Sequence, residues 1–195
     1  MQLTKALSQS QTEVRSLRRQ VEETRVTVDD LEQYGRRMNV RVEGVPYNRG
    51  ESEDELFAGI NEKLQLVNAE IAREDVVRFH RSAAPKLNND NILTTQCIVK
   101  FAKWAPRRTM QGVNKLAREK NACVRVHHDL TYRRYSLLAK ARTQIKDTLG
   151  HVDETFAFVN VNSNLKIRSQ RTVLDFNTEQ QLASIVGDLL AANPR

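Results

Sequence analysis

The chain has 195 residues, 39% of them apolar, a formal net charge of +7 and a pI near 9.6. That length suits one ordinary domain or two small ones, and no run of about 18 apolar residues occurs, so no membrane span is expected. Most of the positive excess lies between residues 73 and 150, with 17 basic side chains against 6 acidic ones, and such an excess attracts polyanions, nucleic acid being the commonest.

The bland reading of that excess is Lys and Arg that merely solvate helix faces. The start of the chain, MQLTKALSQSQTEV, is too polar for a secretory signal, so none is expected. Cys97 and Cys123 lie far apart without a CxxC spacing. They are expected to be free thiols in a reducing compartment.

Residues 1–37 are predicted to form a coiled coil for oligomerisation. Leu7, Val14, Val21 and Val28 fall at heptad position a, and Leu3, Ser10, Leu17, Thr24 and Leu31 at d. This is a coiled-coil seam and not the wider stripe of a globular helix. Glu13 and Arg18 make a favourable g-to-e pair if the strands are parallel. Val at a with Leu at d favours dimers, but Ser10 and Thr24 at d blur that rule. The register is already in place at Met1, so a longer coil upstream is expected. The competing reading is a helix that docks on another protein or on this chain's own domain.

Residues 38–127 are predicted to form an RRM-like domain of order βαββαβ. At Arg36-Arg37-Met38 the apolar spacing switches from helical to alternating. Val40 and Val42 then face one side and Asn39, Arg41 and Glu43 the other, before Gly44 and Pro46 close the strand. Ser52 with Glu55 reads as a capping box for a helix over 53–66, with Leu56, Ile60, Leu64 and Val67 on its apolar face. A strand follows over 75–81, with Val77 and Phe79 on one side, and then a loop over 82–93. Residues 96–101 form the next strand, with Gln96, Ile98 and Lys100 on its polar side. A helix near Pro106 buries Met110, Val113 and Leu116, with Arg107, Arg108, Lys115, Arg118 and Lys120 on its remaining faces. Residues 122–126 complete the set. This is the split-βαβ, ferredoxin-like plan, of which the RRM is a common RNA-binding version. The plan alone proves no function. The expected RNA-facing positions, Arg41, Gln96, Ile98 and Lys100, carry no stacking aromatic ring. Binding is then expected to lean on phosphate contacts, with low sequence specificity and steep salt dependence. The alternative is an interaction domain that binds no RNA.

Residues 128–195 are predicted to form a small α+β C-terminal domain. Asp129 is the expected N-cap of a helix over 130–149, ended by Gly150, with Leu130, Leu137, Leu138, Ala141 and Ile145 inward. Arg133, Arg134, Lys140, Arg142 and Lys146 are expected on its exposed face, interleaved with Tyr132 and Tyr135. A hairpin over 155–161 and 165–168 follows, with Lys166 and Arg168 on one side of its strand. Thr178 and Gln181 suggest a capping box for a last helix whose core side is Leu182, Ile185, Val186 and Leu189. No P-loop, GxGxxG or HExxH occurs. His80, His127, His128 and His151 show no metal spacing with the cysteines. No set of nucleophile, base and orienting group stands out, so neither enzyme activity, cofactor nor metal is expected.

Several short motifs stand in a particular order. Leu31-Glu32-Gln33-Tyr34-Gly35-Arg36-Arg37-Met38-Asn39-Val40-Arg41-Val42-Glu43-Gly44-Val45-Pro46 ends the coil. Val77-Arg78-Phe79-His80-Arg81 and Ile98-Val99-Lys100-Phe101 follow. Lys115-Leu116-Ala117-Arg118-Glu119-Lys120 then precedes Asp129-Leu130-Thr131, and the Ala157 to Arg168 hairpin comes last. In that order, across nearly the whole chain, the sequence resembles the first open-reading-frame protein of LINE-type (non-LTR) retrotransposons. The resemblance implies a trimeric coiled coil, an RRM and a C-terminal domain. It also implies a non-enzymatic protein that coats the element's RNA into a ribonucleoprotein and acts as a nucleic-acid chaperone in retrotransposition. Positions matching the family's RNA grip are Arg36, Arg37, Arg41, Arg78, Arg81, Lys100, Arg118, Arg133 and Arg134. Two departures stand out. Thr27-Val28-Asp29-Asp30-Leu31-Glu32 has Thr where trimeric members often carry Arg, which leaves trimer and dimer both open, and the loop after Arg81 holds only Lys86. The expected partners are single-stranded RNA, with single-stranded DNA as a second candidate, and copies of the same chain in a parallel homo-oligomer; no membrane is expected. The expected location is a cytoplasmic ribonucleoprotein, with the nucleus as a second site. The alternative function is a coiled-coil scaffold whose ferredoxin-like domain binds proteins.

Overall fold

Helical heptads without proline, then alternating strands, then a basic helix with a hairpin give an α+β protein with a long N-terminal helix and two antiparallel sheets. The computed structural model describes residues 2–88, 91–149, 155–160, 162–169 and 172–192. The expected helix end at Gly150, His151, the last strand residue Val161 and the side chain of Leu3 lie outside the described residues. The chain divides into two units. One comprises Met1–Gly35, Leu130–Asn160 and Asn164–Arg195, and the other comprises Arg36–Asp129 and Val161–Ser163.

The second of these is built on β1 (Asn39–Pro46), α2 (Glu53–Gln65), β2 (Val76–Arg81), β3 (Lys86–Leu87), β4 (Leu93–Phe101), α3 (Trp104–Thr109), α4 (Val113–Glu119) and β5 (Arg125–His128). Its strands run in the order β2-β4-β1-β5, all neighbours antiparallel, with β3 added beside the start of β4. Val40, Val42, Cys97, Val99 and Phe101 face inward and meet Ile60 and Leu64 of α2 and Val113 and Ala117 of α4. Each such large apolar side chain contributes roughly 1.5–3 kcal/mol when taken from water. The Ser52–Glu55 capping box forms as expected, with Ser52 Oγ accepting from Glu55 N at 3.2 Å and Glu55 Oε2 accepting from Ser52 N at 2.7 Å.

Several side chains depart from the sequence expectation, each for a local reason. A register shift between Val76 and Arg78 turns Val77 outward, so Val76 and Phe79 are the buried pair. The expected loop after β2 holds the short strand β3, whose Lys86 and Leu87 pair with Thr94 and Leu93. Between α3 and α4 a 3-10 turn over Met110–Gly112 changes the rotation per residue. Ala117 therefore takes the buried position and Leu116 is exposed. Arg107 is buried rather than solvating the helix. Its Nη2 lies 2.8 Å from His128 Nδ1, and its guanidinium stands 5.1 Å from the Trp104 ring centre. The last strand begins at Arg125, three residues later than expected.

The other unit contains most of α1 (Gln2–Arg36), then α5 (Tyr132–Gln144), β6 (Phe156–Val159), β7 (Leu165–Ser169), β8 (Thr172–Asp175) and α6 (Glu179–Ala192). Strands β6-β7-β8 form an antiparallel sheet, one strand more than the expected hairpin. Ala157, Leu165 and Ile167 face Leu137, Leu138 and Ala141 of α5 and Leu182 and Val186 of α6. Thr131, not Asp129, caps α5, its Oγ1 accepting from Arg134 N at 3.2 Å. Five residues of π-helix, Ile145–Leu149, extend α5. Thr178 Oγ1 accepts from Gln181 N at 3.1 Å, while the Gln181 side chain accepts from Asn177 N instead of closing the box on Thr178.

One face of α1 is bound within this unit. Asp29 accepts from Thr131 Oγ1 and from Arg134 Nε (2.8 Å), Gln33 Oε1 accepts from Thr131 N (2.9 Å), and Glu22 accepts from Arg133 Nη2 (2.6 Å). The expected seam is a different face. Leu7, Val14, Leu17, Val21, Val28 and Leu31 remain between 42% and 69% exposed. Thr24 Oγ1 donates to Gln20 O at 2.8 Å, which satisfies its hydroxyl within the helix.

β1 bends at Gly44, which has φ +86°; a Cβ there would lie 2.4 Å from the Cys123 carbonyl oxygen. Gly44→Ala is expected to lower the unfolding free energy by about 2–3 kcal/mol. Gly59→Ala, where the new methyl meets only Val45 Cγ1 at 3.8 Å, is expected to leave stability unchanged or raise it by up to about 1 kcal/mol. Urea titrations of the two variants check both.

Candidate nucleic-acid interface

Alternation along three strands brings polar side chains to the sheet face opposite α2 and α4. Register places Arg78 directly across from Lys100, and Lys100 across from Asn39. In the next row His80, Ile98, Arg41 and His127 run across β2, β4, β1 and β5. Arg78, His80 and His127 are exposed, while Arg41, Ile98 and Lys100 are half-buried. The face thus carries three cations around one aliphatic side chain, with an imidazole at each end of a row.

Two halves of the face differ in their electrostatics. On the β1 side, Arg41 Nε donates to Asp129 Oδ1 at 2.8 Å and its Nη1 to Gln96 Oε1 at 3.4 Å. Gln96 Nε2 donates to Glu43 Oε1 at 2.9 Å, and Glu43 Oε2 lies 3.3 Å from His127 Nε2. On the β2 side, neither Arg78 nor Lys100 has a carboxylate within ion-pairing distance among the described residues. Two adjacent cations without a counter-charge form the more attractive site for an anion.

Asp129 is the organising group of the β1 side. Its carboxylate is 2% exposed and accepts from Asn39 Nδ2 at 2.8 Å, Arg41 Nε at 2.8 Å and Arg36 Nη1 at 3.4 Å. The aspartate expected to cap a helix instead fixes the guanidinium groups of β1 and its approach. Nearby His128 has its pKa pushed down to about 4, by burial first and then by Arg107 and His127. It is therefore neutral at physiological pH, with Nδ1 free to accept from Arg107, and brings no charge to the face.

The remaining expected contact residues are placed as follows. Arg37 is half-buried at the end of α1. Arg81 is not on this face: opposite the buried Cys97, it is 14% exposed, binds Glu51 with two nitrogens and donates to Pro46 O at 2.6 Å. Arg118 is exposed on α4, on the side of the sheet that the helices cover, and its Nε donates to Asn114 O at 3.3 Å. Arg134, expected on the exposed face of its helix, is 8% exposed and bound to Asp29 and Asp30. Arg133 is half-buried and paired with Glu22. His127, expected from its place before the basic helix to contact RNA or to cap it, stands beside Arg41 on this face; His80 carries no such expectation, although the alternation that sets Arg78 outward also places it. Cys97 is buried with its thiol pushed up to about 11 by burial, so it is a core residue and no nucleophile.

Among the described residues no group of His, Cys, Asp and Glu is arranged to hold a metal ion, and no helix is long and apolar enough to cross a membrane. No protein-family model matches the sequence, and neither does any curated protein.

Removing the Asp129 carboxylate takes from buried Asn39 its acceptor and from Arg36 and Arg41 the carboxylate they bind. Asp129→Ala is expected to cost about 2–3 kcal/mol, below the usual range for a broken buried pair because Arg36 and Arg41 stay partly in water. Asp129→Asn, which keeps the acceptor oxygen, is expected to cost about half as much. Denaturant midpoints for the two variants test this order.

Proposed function

We propose that the chain is an oligomeric, largely sequence-independent single-stranded RNA-binding protein without enzymatic activity. On this reading it coats a retrotransposon RNA in a cytoplasmic ribonucleoprotein and serves as a nucleic-acid chaperone in retrotransposition. The order β2-β4-β1-β5, with helices on one face, supports an RRM-like version of the ferredoxin-like plan. The observation that carries the RNA reading is the opposed pair Arg78 and Lys100 on the face opposite α2 and α4, free of carboxylates among the described residues. Ile98 stands at the centre of that face where a stacking ring would strengthen base contacts, so phosphate contacts dominate there.

The described a and d side chains of α1 support the reading of self-association. They are exposed on the single chain, whereas the polar side of the same helix is bound to Thr131, Arg133 and Arg134. A parallel coiled coil would cover the seam, and a multiplied weak site gains avidity. The second reading is a coiled-coil scaffold that binds proteins. It draws on the self-neutralised half of the face, the network from Arg41 through Gln96 and Glu43 to His127.

Binding to a single-stranded RNA of mixed sequence separates the two readings. If about three phosphates are contacted, affinity is expected to fall about 20-fold between 50 and 200 mM salt. Arg78→Ala with Lys100→Ala is expected to shrink the slope of log affinity against log salt by about 1.4. Salt-independent binding, or an unchanged slope in the folded double variant, sinks the proposal. Molar mass in solution tests the coil. Val14→Asp with Val21→Asp is expected to reduce a dimer or trimer to monomer while keeping Asp29 and Gln33 in place. A wild-type monomer at micromolar concentration would refute self-association.

A further inference from the structure

The three-stranded sheet has an inverted pattern on its edge strand. In β6 the small residue Ala157 faces the core and is 5% exposed, while the two large rings Phe156 and Phe158 face away from it. Phe156 is 46% exposed. A strand built only for stability puts its large apolar side chains inward, so two outward phenylalanines ask for another explanation.

Their surroundings answer it. The rings lie side by side, centroids 5.7 Å apart and tilted by 50°. Across the ladder Phe156 pairs with Arg168 and Phe158 with Lys166, so both cations share the face with the rings. The Arg168 guanidinium stands 5.9 Å from one ring centre and 5.8 Å from the other. Lys166 is held by Asp175 at 2.8 Å, whereas no carboxylate binds exposed Arg168 among the described residues. Beyond it on β8, Val173 adds an apolar edge to the same face.

We infer that this face, formed by Phe156, Phe158, Lys166 and Arg168, is a base-stacking platform for single-stranded nucleic acid. The inference rests on the reading of the chain as a single-stranded RNA binder. It adds the stacking contacts missing from the sheet of β2, β4, β1 and β5. Two neighbouring rings on one strand present two π-faces to successive bases, and a guanidinium beside them stacks on a base or binds the adjoining phosphate. The occupant is a nucleic acid and not an apolar peptide, because the rings come with a cation that no acid among the described residues neutralises. The platform reads no sequence, since every base has a π-face.

The test compares two strands of equal length and charge, an oligonucleotide and its abasic sugar–phosphate counterpart, with the full chain. Wild type is expected to bind the base-bearing strand about 10- to 100-fold more tightly. Phe156→Leu with Phe158→Leu is expected to lose most of that difference, with abasic binding and its salt slope unchanged. Arg168→Gln is expected to weaken binding to both strands about 3- to 10-fold, and it carries the test alone if the leucine variant fails to fold. Equal wild-type affinity for the two strands overturns the platform, as does unchanged discrimination in the folded leucine variant or unchanged binding by Arg168→Gln. A leucine variant whose molar mass drops, with nucleic-acid affinity intact, marks the face as a contact between copies and likewise overturns it. Failure of wild type to bind either strand at low salt refutes the RNA reading itself, an outcome distinct from these.

Discussion

A carboxylate withdrawn from water must be surrounded by donors, and Asp129 draws three of its donors from one stretch of chain. Arg36, Asn39 and Arg41 converge on its two oxygens. The strand that leaves α1 is thereby tied to the end of the last strand of its own sheet, beyond the backbone pairing of Val40 with His128. A buried ion pair of this sort gives modest net stability but specifies geometry, because any other arrangement strands a charge. The register of β1 follows from it. Shifting β1 by one residue would send Arg41 into the core and Val40 and Val42 to the polar face.

That tie also divides the labour among cations. A guanidinium bound to a carboxylate is oriented but partly neutralised, whereas a cation without such a partner leaves its field to an external anion. Arg41, Arg81 and Arg134 belong to the first kind, each holding a different part of the structure. Among the described residues, Arg78, Lys100 and Arg168 belong to the second. The net charge of +7 is therefore a poor guide to where an anion would sit. Much of the positive charge between residues 73 and 150 is consumed internally.

The same division explains what was legible in the sequence. Period-two alternation located β1 and β4 and assigned their faces, and the Ser52–Glu55 spacing located the start of α2. Asp129 was expected to cap the helix, but the donors gathered from β1 engage its carboxylate, and Thr131, two residues on, takes the cap. Arg107 and Arg134 looked like surface residues because burial of an arginine depends on partners distant in sequence, His128 for one and Asp29 for the other. Val77 and Leu116 were misplaced by a single extra residue in a strand and a tighter turn in a helix, irregularities that leave no periodic signal. β8 was missed because the four residues of Thr172–Asp175, all exposed, carry no inward pattern.

The two sides of α1 fall on distinct heptad positions. Glu22 and Asp29 occupy b and Gln33 occupies f, while the exposed aliphatic row occupies a and d. The docked side therefore acts as an angular index mark for the helix. A one-residue insertion between Glu22 and the row upstream would swing that row by about 100° relative to the mark. Seven-residue insertions or deletions would nearly preserve it, so the phase of the rod, and not its length, is the quantity this attachment constrains.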